Sequence, residues 1–137
     1  MAAKTILNKT KRESATECLK ELHWLPIRLR IEYKIACLVF KCHIGTAPTY
    51  LLECLHRVSI RRPGLRSENS NDLDFIVPST RRKTFAERSF SVQGPKIWNN
   101  FPHFLKTCSN LDHFKTLLKS HLFFKILIVY FIVKRHG

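Results

Sequence analysis

The chain contains 137 residues, enough for one domain that buries roughly two-thirds of the surface of its unfolded form. Hydrophobic residues make up 45% of it and charged residues 25%, a globular composition that excludes disorder throughout. Its 24 lysines and arginines outnumber 10 acidic residues, which gives a net charge of +14. Because this excess repels itself in a compact state, we expect an anionic partner, and nucleic acid, RNA or DNA, is the commonest one.

The cysteines and the N-terminal segment indicate the compartment. The five cysteines are odd in number, and MAAKTILNKTKRES is polar and basic where a secretory signal would be apolar. A secreted, disulfide-bonded domain is therefore disfavoured. We expect free thiols in an intracellular compartment, the nucleus or the cytoplasm.

The first half of the chain predicts helices. We expect residues 1–13 to be a disordered basic N-terminus. Ser14 and Glu17 have the spacing of a capping box, which starts a short helix. Pro26 then starts a second helix, and Gly45 ends it.

Two faces of this second helix differ in chemistry. Its apolar set, which we interpret as the buried face, is Ile31, Ile35, Leu38 and Cys42. A basic stripe on another face consists of Arg30, Lys34, Cys37 and Lys41. A third helix is predicted to follow Ala47-Pro48, so that three helices form the corner of a bundle.

The second half mixes loop, extended and helical signals. Residues 57–74 are rich in loop-forming residue types, so we expect a loop there. Apolar residues then alternate at Leu73, Phe75 and Val77, and again at 90–92. These two segments predict a hairpin or extended pair joined by the turn 79–83. After Gly94, Pro95 is predicted to begin a short helix that Pro102 stops. A kinked continuous helix is the alternative, because helical spacing is shared by Phe90, Gly94, Ile97, Trp98 and Phe101.

The last helix is predicted to start at a capping signal in residues 109–112. Its apolar positions keep helical spacing: Leu111, Phe114, Leu118, Leu122, Ile126 and Val129. The apolar run 122–133 is shorter than the about 20 residues of a membrane span and contains Lys125, so we expect no membrane anchor. The fold class is therefore mainly α, a small helical bundle with a short β-hairpin or extended element in its second half.

Thiols and imidazoles raise the question of a zinc site, and the candidates are Cys37, Cys42, His43, Cys54 and His56. Cys37 and Cys42 fall on different faces of one helix, whereas structural zinc sites use close pairs on a turn. We therefore interpret Cys42 and Cys54 as core residues and Cys37 as a partly exposed thiol, with no metal or other cofactor. Neither these residues nor Asp72 with Asp74 have the supporting groups that catalysis needs, so no catalytic residue is assigned.

Basic side chains are the candidate nucleic-acid contacts, because guanidinium and ammonium groups bind phosphate oxygens. The candidates are Arg61, Arg62, Arg66, Arg81, Arg82, Lys83, Arg88, Arg30 and Lys34. A solvated surface is the alternative interpretation of the same charges. The structural anchors are Trp24, Pro26, Phe90, Trp98 and Phe114. The spacing around Trp98 favours a buried aromatic cluster over rings that stack on bases.

Several separate motifs occur together in order: LHWLP at 22–26, Gly45 with Ala47-Pro48, RKTF at 82–85 with RSF at 88–90, and Pro95 with Trp98-Asn99 and Pro102. With them the chain resembles, from about Asn8 to Phe124, the C-terminal region of the reverse-transcriptase polyprotein of LINE-type, non-LTR retrotransposons, after the palm and thumb. The resemblance implies that residues 14–124 form a reverse-transcriptase accessory region. Residues 125–137 lie outside the resemblance and form an apolar tail.

The family's polymerase chemistry needs a Y-x-D-D type metal-binding motif, and the sequence contains none, since residues 71–74 do not fit it. The resemblance therefore implies a non-catalytic remnant of an RNA-directed DNA polymerase, partnered by nucleic acid or by the remainder of a parent enzyme. Gly94 stands where such sequences often carry alanine. Two alternatives remain open, a basic protein-interaction module and a zinc-stabilised helical module.

Overall fold

The computed structural model describes residues 2–10, 12, 14–22, 24–58, 73–79 and 86–135. It confirms a mainly helical fold, and these residues contain no β-strand. The α-helices are α1 (Ala2–Ile6), α2 (Ala15–Glu21), α3 (Ile27–His43), α4 (Thr49–Leu52), α5 (Phe90–Asn99), α6 (His103–Lys106) and α7 (Leu111–Arg135). A 3-10 helix, Ala86–Arg88, precedes α5.

The chain divides into two compact units. Unit 1 consists of Met1–Tyr33 and Lys119–Gly137, and unit 2 of Lys34–Leu118. The two longest helices, α3 and α7, therefore each contribute residues to both units.

Unit 1 contains α1 in the segment that was expected to be disordered, and α1 buries Ala3. Helix α2 starts where the Ser14 signal predicted, and the Cys18 N–H donates to the Ser14 carbonyl at 3.4 Å. An ion pair joins Lys125 of α7 to Glu32 of α3, with 3.0 Å between Nζ and Oε1. The part of α7 that belongs to unit 1 is thus attached to the first half of α3.

The buried face of α3 differs from the prediction. Its buried residues are Ala36, Val39, Phe40 and Cys42, whereas Ile31 is 57% exposed and Leu38 38% exposed. Only Cys42 of the predicted face is buried. Apolar residues surround most of this helix, so periodicity alone fits more than one face, and the aromatic side chains of unit 2 pack on the side that carries Phe40.

Gly45 ends α3 as predicted, for a conformational reason. Its φ of +75° lies in the left-handed region, which residues with a Cβ rarely adopt. This reversal of the chain lets the Thr46 N–H donate to the Lys41 carbonyl at 2.9 Å. One of the carbonyl groups at the C-terminal end of α3 thereby gains a hydrogen bond.

The predicted hairpin is wrong, but an extended element is present. Phe75 forms one antiparallel bridge with Arg57. The Ile76 N–H donates to the His56 carbonyl at 2.7 Å. The proposed partner residues, 90–92, belong to α5 instead. Most of the predicted turn and most of the predicted loop lie outside the described residues.

Helix α5 begins at Phe90, so the short helix predicted to start at Pro95 is wrong. The alternative of one continuous helix is confirmed, with Pro95 in its interior. Gly94 is buried, and a Cβ at this position would lie 3.1 Å from Val39 Cγ2 and 3.4 Å from Leu55 Cδ2. The small residue therefore permits close approach of α5 to α3.

Asn110 begins α7, since its Oδ1 accepts the Asp112 N–H at 2.9 Å. Phe114, Leu118 and Leu122 are completely buried, which confirms the predicted spacing for these positions. Among the described residues, no helix is sufficiently long and apolar to cross a membrane.

We expect Gly94→Val to lower the free energy of unfolding by about 1–3 kcal/mol, because the added methyl groups overpack the contact with Val39 and Leu55. Lys96→Val introduces the same side chain at an exposed position of the same helix and is the matched control. Urea unfolding followed by tryptophan fluorescence measures both. Equal stability of the two variants would contradict the close packing at Gly94.

Candidate functional site

The predicted cations fall into two groups. Six of them lie outside the described residues: Arg61, Arg62, Arg66, Arg81, Arg82 and Lys83. Arg30 and Lys34 are exposed one turn apart on α3, and Arg88 is exposed at the end of the 3-10 helix. The structure thus gives three of the nine candidates access to solvent, on two different elements.

Arg30 is held in place by neighbours in unit 1. Its Nε donates to the Leu25 carbonyl at 2.8 Å, and its guanidinium lies 5.6 Å from the centre of the Trp24 ring. Trp24 is half-buried and lines an apolar cavity of about 310 Å³ beside α1 and α2. Pro26 precedes α3, and its carbonyl accepts the Arg30 N–H at 2.9 Å. The anchors Trp24 and Pro26 therefore fix the position of this cation.

Trp98 lies at the centre of unit 2 and is completely buried. Its ring centroid is 5.1 Å from that of His43 and within 6.0 to 6.5 Å of the rings of Phe75, Phe114, Phe40 and Phe101. Phe40 and Phe114 stack on each other at 4.2 Å. Phe90 is half-buried at the start of α5. These aromatic rings are packing groups and not a free stacking platform.

The polar atoms beside this core hold the extended segment. The Trp98 Nε1–H donates to the Leu73 carbonyl at 2.7 Å. The Asn99 side chain forms two hydrogen bonds with the backbone of Phe75, accepting its N–H at 3.0 Å and donating to its carbonyl at 2.8 Å. Consecutive residues of one helix therefore fix both the position and the register of residues 73–75.

Lys106 is the buried charge of the described structure, only 2% exposed. Its Nζ donates to Asp74 Oδ1 at 2.7 Å and to the Asn99 carbonyl at 3.1 Å. Desolvating an ammonium group is costly, and these two bonds offset the cost. The cation is thus a structural group and is not accessible to a phosphate.

His43 and Arg57 form a second polar contact. Arg57 Nη2 donates to the His43 carbonyl at 2.7 Å and lies 3.3 Å from its Nδ1. Because a guanidinium has no acceptor, Nδ1 must accept, and the imidazole is neutral with its proton on Nε2. Burial, followed by the charge of Arg57, lowers the pKa of His43.

The thiols of the described residues differ in their burial. Burial raises the pKa of Cys42, which keeps the thiol protonated. Cys37 is partly exposed as expected. The prediction that Cys54 belongs to the core is wrong, because Cys54 follows α4 at the surface, where its Sγ donates to the Tyr50 carbonyl. The described residues contain no group of three His, Cys, Asp or Glu side chains that could hold a metal ion.

Sequence reasoning missed the structural roles of Asn99, Lys106, Arg57 and His43. The sequence contained a signal for the role of Asn99, since this residue follows Trp98 in one of the motifs. The sequence contained no signal that Lys106 is buried, because a lysine inside HFLK is typical of a solvent-exposed helix.

Comparison of the chain with protein-family models, with curated proteins and with solved structures finds no match.

Removing Asp74 and removing Lys106 should lower the free energy of unfolding by different amounts. We expect Asp74→Ala to destabilise unit 2 by about 3 kcal/mol, because it leaves a buried ammonium without its carboxylate. Lys106→Met should cost less, since Asp74 is 26% exposed and can be hydrated. Chemical denaturation of both variants measures the difference. A larger loss for Lys106→Met would show that packing of the lysine stem stabilises unit 2 more than the ion pair does.

The neutral state of His43 predicts a dependence of stability on pH. A histidine with a lowered pKa in the folded state contributes stability above its unfolded pKa of about 6.5, and this contribution is lost as the pH falls through the folded value. We therefore expect the free energy of unfolding to fall on acidification below neutral pH, and to fall less in His43→Gln. Burial also lowers the pKa of His121, so His121→Gln should flatten the profile as well. Parallel profiles for the wild type and both variants would contradict this expectation.

Proposed function

We propose that the chain is a non-catalytic, basic helical module derived from the accessory region of a LINE-type reverse transcriptase, and that it binds single-stranded nucleic acid with little sequence preference through exposed cations. The observation that carries the proposal is the packing of the motif residues. Trp98 is completely buried, and both Trp98 and Asn99 bind the backbone of the extended segment.

The residues of the other motifs also have structural roles. Gly45 supplies a left-handed turn, Pro48 and Pro102 precede short helices, and Trp24 packs beneath Arg30. Residues with such roles preserve a scaffold. This is the pattern expected of an accessory region whose binding groups lie on its surface.

The exposed cations support the binding part of the proposal. Arg30, Lys34 and Arg88 are accessible, and the stretches 61–66 and 81–83 add six more cations to the sequence. A net charge of +14 favours a polyanion over a neutral protein surface as the partner.

The absence of catalysis is proposed from the chemistry of the available groups. The Cys42 thiol is kept protonated by burial, and the Asp74 carboxylate is bound to Lys106. Neither is free to act as a nucleophile or to bind a metal ion in the way that polymerase chemistry requires.

Salt titration of binding to a single-stranded RNA or DNA oligonucleotide, followed by fluorescence anisotropy, tests the proposal. We expect the logarithm of the binding constant to fall linearly with the logarithm of the salt concentration. The triple variant Arg81→Ala, Arg82→Ala, Lys83→Ala should reduce the slope by about 2 if all three cations contact phosphates.

The matched control removes the same charge from helix surfaces with Lys96→Ala, Lys115→Ala and Lys119→Ala. Its slope should stay close to that of the wild type. A slope near zero in the wild type would rule out phosphate contacts. Equal losses in the two triple variants would assign binding to overall charge and would contradict a binding surface on residues 81–83.

A further inference from the structure

The apolar cavity of unit 1 has the dimensions of a site for a small molecule. Its volume is about 310 Å³, at the lower end of the about 300–1,000 Å³ that such sites occupy. Its walls are formed by α1, α2, residues 24–25 and the start of α3, so every described residue that lines it belongs to unit 1. Ala3 and Leu25 of this wall are buried, which makes the cavity part of the interior of the unit.

The described wall determines what the body of such a molecule can be. It consists of aliphatic side chains, the Trp24 ring and two cations, Lys4 and Arg30, and it contains no Ser, Thr, Asn, Gln, Asp or Glu. These side chains offer no hydrogen-bond acceptor. The amino and imino groups of a nucleobase would therefore lose their bonds to water here without a side chain to replace them. A hydrocarbon has no such loss and gains free energy on burial, so the body of the ligand is apolar.

Arg30 determines the other end of the molecule. It is exposed and lines the cavity, so it lies where the cavity opens to water. Its Nε atom is bound to the Leu25 carbonyl at 2.8 Å, and its guanidinium lies 5.6 Å from the centre of the Trp24 ring. Both neighbours are uncharged, and none of the salt bridges among the described residues includes Arg30. The cation is therefore held in position without a carboxylate, and its two Nη atoms match the two oxygens of one.

An apolar body and one anionic end together define a class of molecule. A neutral hydrocarbon would fill the cavity but leave the cation without a partner. Inorganic phosphate would bind the cation but leave the apolar wall in contact with water. An unbranched monocarboxylate matches both features, because its carboxylate forms charge-assisted hydrogen bonds with a guanidinium and its chain is buried against aliphatic side chains.

We propose that the cavity of unit 1 binds a medium-chain fatty acid, with the hydrocarbon chain against Leu19 and Trp24 and the carboxylate on Arg30. This site does not depend on the proposed nucleic-acid binding, although Arg30 is a candidate contact for both ligands.

Isothermal titration calorimetry of the full chain with decanoate, near neutral pH and below the concentration at which decanoate forms micelles, tests the proposal. We expect one saturable site for each chain. Decanol has the same hydrocarbon length without the charge and should bind at least about tenfold more weakly, because the charge-assisted hydrogen bonds are lost. From hexanoate to octanoate and decanoate, the affinity should rise by about fourfold for each methylene group that the cavity buries.

Two variants locate the site. Arg30→Gln should lower the affinity for decanoate by at least about tenfold and leave the affinity for decanol unchanged. Its matched control is Arg28→Gln, which removes the same charge from an exposed position of the same helix outside the cavity wall and should bind decanoate like the wild type. Ala15→Leu fills part of the cavity from α2 and should weaken the binding of both ligands.

The measurements on the wild type keep the test decisive if a variant folds poorly. Absence of saturable decanoate binding, equal affinity for decanoate and decanol, or an affinity that does not rise with chain length would each overturn the proposal. Equal losses in Arg30→Gln and Arg28→Gln would overturn it by assigning the attraction to overall charge. Unchanged decanoate binding by a folded Ala15→Leu variant would place the ligand outside the cavity. Loss of oligonucleotide binding in that variant, with no decanoate binding by the wild type, would assign the cavity to nucleic acid.

Discussion

The indole of Trp98 is the group on which the packing of unit 2 depends. It contacts aromatic side chains from α3, from α7, from the extended segment and from Phe101 just after α5. Its single polar atom is bound to the Leu73 carbonyl. A large ring without an unsatisfied donor can be buried completely, which gives the full hydrophobic gain at no cost in hydrogen bonding. Asn99 adds the two backbone bonds that set the register of the neighbouring segment.

Helix positions followed from local signals in the sequence, while the choice of buried face did not. Gly45, Pro26 and the start of α7 act within a few residues, so their effects are visible in the chain. The face of α3 is chosen by Phe114 and Trp98, which are distant in sequence. The hairpin prediction failed for a related reason, because alternation at 90–92 also fits a helix, and the spacing to Trp98 and Phe101 decided between the two.

The candidate site could be predicted only at the level of residue type. Counting cations indicated a polyanion as partner, but counting does not separate Lys106, which is buried against Asp74, from Lys34, which is exposed. The neutral state of His43 likewise depends on burial, which lowers its pKa, and on Arg57, and both arise only in the tertiary fold. Positive charge in this protein therefore occurs in two settings, one in the interior and one at the surface.

The bridge between Arg57 and Phe75 has a consequence for how the chain can vary. The backbone bonds from Val58 to Asp74 and from Ile76 to His56 join the two ends of the intervening stretch. The entropy of closing such a stretch grows only slowly with its length, by about 0.6 kcal/mol for each doubling. Insertions and deletions between these fixed ends should therefore accumulate with little loss of stability, while the same changes inside α5 would shift Asn99 away from its partner.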